Sequence, residues 1–189
     1  MTRQPRPYAL ILAAATLLVG ACKNDPASPP AQDPLVTAMK NATNAYQNID
    51  NALAAGFVEV SPCVSSPDGG MGFHYANESL VDADVDANIP EVLLYEPTAS
   101  GGMVLVGVEF LVLADAWDSV STALPELAGE PFADHRDPAA RHGLPFGHYD
   151  LHAWVWRTNP DGQWEPFNPD VSCAAAPVSA GRALHASAH

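Results

Sequence analysis

Between Asn41 and His135 the sequence has no lysine and no arginine, although the same stretch holds fifteen Asp or Glu residues. Over the whole chain, 8 basic residues face 22 acidic ones, for a formal net charge of −14. A nucleic-acid partner is excluded on that ground, because phosphate binding needs a basic surface. Adhesion to anionic lipid by charge is excluded for the same reason, whereas attraction of cations or basic partners is allowed. Cysteine is scarce too: there are three, with no CxxC or CxxCH spacing, so nothing supports a Cys/His metal site. There is no G-x-S-x-G elbow, no P-loop, no dinucleotide fingerprint and no internal repeat. The N-terminal apolar run, Tyr8 to about Val19, is short against the roughly 20 residues of a stable membrane span.

What is present begins with an export signal. Arg3 and Arg6 precede the apolar run, and small residues lead to Cys22, the layout of a secretory signal. Val19-Gly20-Ala21-Cys22 resembles the lipobox of bacterial lipoproteins. That resemblance implies cleavage of residues 1–21 and lipid on Cys22, hence an exported chain anchored to a bacterial membrane. An ordinary signal peptide with an incidental cysteine is the alternative. Residues 22–34, with KNDPASPPAQDP, are too poor in apolar surface to fold and read as an extended tether. Residues 35–173 suit a single globular domain. Residues 174–189 form an alanine-rich tail with little core-forming content. Cys63 and Cys173 remain after the anchor, and in an oxidising compartment an even pair is most simply a disulfide.

The periodicities predict an α+β domain, with an N-terminal amphipathic helix packed on a mainly antiparallel sheet. Asp33 caps a helix with Pro34 at its first position. Leu35, Ala38, Met39, Ala42, Tyr46, Ile49 and Leu53 follow at helical spacing, and Gly56 ends the run. Strands are expected at 57–60, near Phe73, at 91–95 and at 103–113, the last apolar on both faces and hence central. HAWVWRT, NPDG and QWEPF predict a hairpin turning at 159–162.

The blocks GMGFHY, EVLLYEP, LVGVEF, YDLHAWVWRTNPDG and FNPDVSC resemble those of a family of uncharacterised bacterial secreted proteins, over about residues 40–173. The resemblance implies one compact unit that includes Cys63 and Cys173. It supplies no catalytic residues, so function has to come from chemistry.

The chief chemical oddity is Glu109, in VGVEFLV. By strict alternation its face carries Leu105, Gly107 and Leu111, and the other face Val106, Val108, Phe110 and Val112. Neither face is wet, and an unpaired buried carboxylate costs several kcal/mol or stays protonated. A partner must come from Lys40, Arg136, Arg141, Arg157, Arg182, a histidine or a bound cation. His74 lies beside glycines in GMGFHY, and HYDLHAWVW carries His148, Asp150 and His152 on one side. On a straight strand His148 and His152 stand about 13 Å apart, too far to share one ion. Asp150 is expected to orient His152, as a supporting carboxylate does at many metal sites.

His74, Glu109 and His152, with support from Asp150 and His148 as a further candidate, match the ligand inventory of zinc or a similar divalent transition metal. A buried His/Glu hydrogen-bond network would use the same residues. The acidic loop DADVDAN lacks the glycine and the glutamate of an EF-hand and reads as solvated. His135 and His142 lie in a punctuated loop that can cover the site. Trp154 and Trp156 are expected on the histidine face. Three functions remain: an envelope lipoprotein binding a divalent metal or small ligand, a non-catalytic structural or interaction lipoprotein, and a metal-dependent hydrolase.

Overall fold

The computed structural model describes residues 33–177 except 143. The expected signal peptide, the expected lipidation site Cys22, the expected tether as far as 32 and the tail from 178 onward lie outside the described residues. No helix among the described residues is long and apolar enough to cross a membrane.

The Asp-Pro start acts as its chemistry requires. The Asp33 carboxylate accepts from Leu35 N at 2.8 Å, and Pro34 opens helix α1, Pro34–Thr43. The expected single helix to Gly56 is, however, broken. α1 gives way to a 3-10 turn, Asn44–Gln47, and a separate helix α2, Ile49–Ala54. The cause is the polar run NATNAYQN. Thr43 Oγ1 donates to Met39 O at 2.7 Å. Asn48 takes an extended conformation and caps the Asp50 N–H. Short polar side chains compete with the helix for its own backbone groups. The break ends the helical phase, and Leu53 is 48 % exposed instead of facing inward. Met39 is fully buried, and Tyr95 donates its hydroxyl to Tyr46 O at 2.6 Å.

The fold is α+β with a mainly antiparallel sheet. Its strands are β1 (Val58–Glu59), β2 (Val64–Ser66), β3 (Gly69–Ala76), β4 (Val92–Pro97), β5 (Met103–Leu113), β8 (Ala133–His135) and β9 (His148–Ala153). Their order is β1-β3-β4-β5-β9-β8, with β2 also on β3. A short helix α3 (Ala114–Asp118) and a two-stranded ribbon, β6 (Glu126–Leu127) and β7 (Glu130–Pro131), fill the crossover after β5.

One face of this sheet is the main core, with Tyr75, Leu93, Tyr95, Val108, Phe110, Tyr149 and Leu151 clustered with Met39 and Phe57. The other face carries Ala76, Val92, Leu94, Leu111 and Trp154. Because strand side chains alternate, His74, Glu109, His148, Asp150 and His152 point to this second face.

A β-bulge corrects the expected alternation in β5. Leu94 pairs with Gly107 but Tyr95 pairs with Leu105, so Val106 has no opposite number. Leu105 joins the main core with Val108, while Val106 joins Leu94 and Leu111. The extra residue reverses the phase of the strand at that point. Its carbonyl accepts from both Trp156 N and Arg157 N.

The expected hairpin at 159–162 does not form. β9 begins at His148 and ends at Ala153, and residues 163–167 contain no strand. The only ladder-like bond there is Trp154 N to Gln163 O. Beyond Ala153 the chain no longer alternates. Trp154 stays on the histidine face, donating to Glu165 O, but Trp156 turns to the main core and donates to Thr43 Oγ1 at 3.0 Å.

Cys63 and Cys173 form a disulfide. Close backbone approach constrains Gly72, with φ +90°, where a Cβ would lie 2.4 Å from Tyr95 O. Gly72→Ala is therefore expected to destabilise the fold by about 1–3 kcal/mol, seen as a lower midpoint in chemical denaturation. An unchanged midpoint would mean that β3 and β4 part there without penalty.

Candidate metal centre

Three strands build the site. Glu109 on β5 is paired directly with His152 on β9. His74 on β3 is paired with Leu94 on β4 and reaches over β4 toward Glu109. Gly107 opens the space beside them. A Cβ there would press on Ala153 O, the Trp154 ring and the Leu94 side chain at 3.0–3.3 Å.

His74 Nε2 stands 3.6 Å from Glu109 Oε2. One ligand atom from each of His74, Glu109 and His152 lies within 4.8 Å of the others, so the three can hold a metal ion. Two ligands about 2.1 Å from a tetrahedral ion are roughly 3.4 Å apart, so only a small closure is needed. Ser61 fixes His74 from behind. Its hydroxyl lies 2.8 Å from Pro62 O and 2.9 Å from His74 Nδ1. With the Ser61 proton given to Pro62 O, Nδ1 is the donor and Nε2 keeps its lone pair toward Glu109.

Glu109 is 6 % exposed and His152 5 %. Among the described residues no lysine or arginine forms an ion pair with Glu109. Arg157, one of its expected partners, pairs with Glu96 at 2.6 Å. Arg136 pairs with Asp118 and Asp134, Arg141 donates to Arg136 O, and Lys40 lies over the Trp156 ring. Burial, and then the nearby Asp150 carboxylate, push the Glu109 carboxyl well above the usual range. Burial lowers His152, and burial followed by the proximity of His152 lowers His74 to about 3. The histidines are thus held neutral, the form that donates a lone pair to a metal. Among the described residues, His152 Nε2 has no hydrogen-bond partner.

The remaining candidates go elsewhere. Asp150 turns toward His135 Nε2 at 3.4 Å and His148 Nε2 at 3.8 Å, not toward a ring nitrogen of His152. It acts on His152 through charge. His148 lies in this second group and not with His74. His135, which reads as a loop residue in the sequence, is on β8 and pairs directly with His148. A three-residue strand after Pro131 has too little pattern to be recognised; the one available cue was that ADH and HYD can pair antiparallel. His142 is exposed at the rim, its ring 4.9 Å from that of His135. The acidic loop closes on itself, with Asp82 and Asp86 accepting from Asp84 N and Asn88 N.

The pKa shifts fix a direction for stability without metal. His74 is lowered in the fold from its usual 6.5 to about 3. Between those values the unfolded chain binds the extra proton, so stability is lost as pH falls through that window. Glu109, raised in the fold, acts oppositely, and its contribution is lost as pH rises through its folded value. Thermal melts of the metal-free protein are expected to show a decline from about pH 6.5 downward that His74→Asn flattens. An equally steep decline in that variant would assign the effect to other groups.

No protein-family model, no curated protein and no solved structure matches this chain. Its function is therefore read from the chemistry of the site.

Proposed function

We propose that this protein binds one divalent first-row transition ion, zinc or a close equivalent, through His74, Glu109 and His152, and does so as an exported lipoprotein anchored at Cys22. The observation that carries the metal reading is the His74, Glu109 and His152 group itself, with one ligand atom from each within 4.8 Å of the others, at a histidine whose buried Nε2 has no hydrogen-bond partner among the described residues. Buried polar atoms are normally satisfied, and a cation satisfies two neutral imidazoles and a carboxylate together. Two imidazoles and one carboxylate are borderline donors, which favour zinc over calcium or magnesium. The export part is supported by the signal-like N-terminus and by the Cys63–Cys173 bond, which belongs to oxidising compartments.

Metal analysis of full-length protein carrying no histidine tag, followed by zinc or cobalt titration, tests the metal reading. His152→Ala is expected to weaken binding by more than about 100-fold, since even outer partners of a metal site are worth 10–100-fold. Wild-type protein that keeps no metal on dialysis, and gives no titration signal at micromolar zinc, would leave the cluster as a hydrogen-bond network. The anchor has its own test. Cys22→Ala is expected to move the protein from the detergent phase to the aqueous phase or to stop cleavage; unchanged partitioning of a variant that is still cleaved would remove the lipid.

A further inference from the structure

A second group of donors stands beside the first on the same face of the sheet. His135 and His148 occupy directly paired positions on β8 and β9. Their rings are nearly parallel, 19° apart in plane, with centroids 5.1 Å from each other. Each ring has one nitrogen near a backbone carbonyl: His135 Nδ1 is 2.7 Å from Ala140 O, and His148 Nδ1 is 3.4 Å from Phe146 O. A carbonyl only accepts, so Nδ1 is the protonated nitrogen in both rings. In the neutral rings both Nε2 atoms then keep their lone pairs.

Both lone pairs face one carboxylate. His135 Nε2 is 3.4 Å from Asp150 Oδ1, and His148 Nε2 is 3.8 Å from Asp150 Oδ2. Acceptors therefore meet acceptors in a part of the fold where Asp150 and His148 are buried. A proton on one ring satisfies that ring alone. A divalent ion satisfies both rings and the carboxylate together. The nearest basic side chains do not take its place, because Arg136 is spent on Asp118 and Asp134 and Arg141 on a backbone carbonyl. Ligand pairs on a tetrahedral ion sit roughly 3.4 Å apart, so the two N–O distances already fit. The rings have to close by roughly 1–2 Å; His135 is on the edge strand and is the less buried of the two.

Asp150 also neighbours the first group. It stands two residues before His152, the direct partner of Glu109, so the two carboxylates are diagonal neighbours on one face of the paired strands β5 and β9. Two buried carboxylates so placed repel one another unless a proton or cations lie between or beside them. A bridging carboxylate with one imidazole-bearing ion on each side is the arrangement of two-metal sites.

We propose that His135, His148 and Asp150 form a second divalent-cation position, and that Asp150 joins it to the His74, Glu109 and His152 position as a two-ion centre. The joined centre rests on the function proposed above; the second position stands on its own donors.

The test uses the full chain without a histidine tag, loaded with cobalt(II), dialysed, and measured for metal per chain and for spin coupling by electron paramagnetic resonance. Two ions per chain with coupled spins are expected. His135→Gln, at the less buried ring, and His148→Ala are each expected to leave one ion and abolish the coupling; melting curves recorded alongside identify any variant that has unfolded. Glu109→Gln is likewise expected to leave one ion, the one at the second position. One ion in the wild type, unchanged by His135→Gln and lost in Glu109→Gln, would overturn the second position and keep the first. One ion lost in His135→Gln but retained in Glu109→Gln and His152→Ala would support the second position and overturn the first, and with it the pair. Two uncoupled ions would overturn the bridge by Asp150. No ion at all would overturn both positions.

Discussion

In metal-free protein at pH 8, Glu109→Gln is expected to raise the melting temperature, and the same substitution is expected to abolish the further rise that zinc produces in the wild type. The two halves have one cause. Glu109 is buried on a central strand with an imidazole and a second carboxylate as neighbours, and among the described residues no lysine or arginine is paired to it. Burial raises its pKa, so ionising it at pH 8 works against the fold. Gln keeps the shape, cannot ionise, and can donate its amide to Asp150. Relief of about 1–3 kcal/mol is the usual size for such a group, or roughly 2–4 °C per kcal/mol in a domain of this size. Zinc at 100 times its Kd adds about 2.7 kcal/mol to a protein with an intact site. The variant is therefore the more stable protein in chelator and the less stable one in zinc. Calorimetry of both proteins under both conditions measures the crossing. A variant that melts lower in chelator and still gains stability from zinc would remove Glu109 from the site.

Breaking the Cys63–Cys173 bond is expected to have the other large effect. The bond joins residues 110 apart, and in the chain-entropy account a loop of that length contributes about 4–5 kcal/mol. It links the segment entering β2 to the chain just after Val171, which is buried in the second-face cluster. Close by, Gly70 and Asn168 exchange two backbone bonds, each 3.0 Å long. With both cysteines changed to serine, urea denaturation is expected to give a midpoint lowered by most of that amount, with the slope steeper because the freed unfolded chain exposes more surface. A loss under about 1 kcal/mol would mean that the Gly70–Asn168 pairing alone holds the two segments together.

The sequence and the fold agree where local chemistry acts alone. Asp33 and Pro34 start a helix because both residues are suited to its first turn. Met103–Leu113 is a central strand because neither side of it is wet. Glu109 stands out for the same reason, and the contrast of a carboxylate in an apolar strand needs no partner to be seen. What was not legible depends on contacts between distant residues. The bulge at Val106 arises from how β4 and the segment after Ala153 pair with β5, and nothing within MVLVGVEFLVL reports it. The break at Thr43 was written in the run of Asn and Thr, but apolar spacing continued across it and masked it. Trp156 was assigned to a face of a strand that stops at Ala153. For Asp150 the difficulty was one of company. Two residues from His152 on the same face, it found a closer imidazole across the sheet, on β8.

The strand order also fixes when in folding the site can exist. Glu109 and His152 meet only when β9 docks on β5, after the excursion from Leu113 to His148. His74 arrives from the opposite side, by way of β4. Closing such a loop is entropically unfavourable and waits on other contacts. An ion that needs all three side chains has little to hold in a transition state where β9 is still loose. Its free energy then appears almost wholly in the native state, so the rate of refolding is indifferent to zinc while the rate of unfolding falls with it. For a protein exported as proposed above, such an ion would be a brake on unfolding and not an aid to folding.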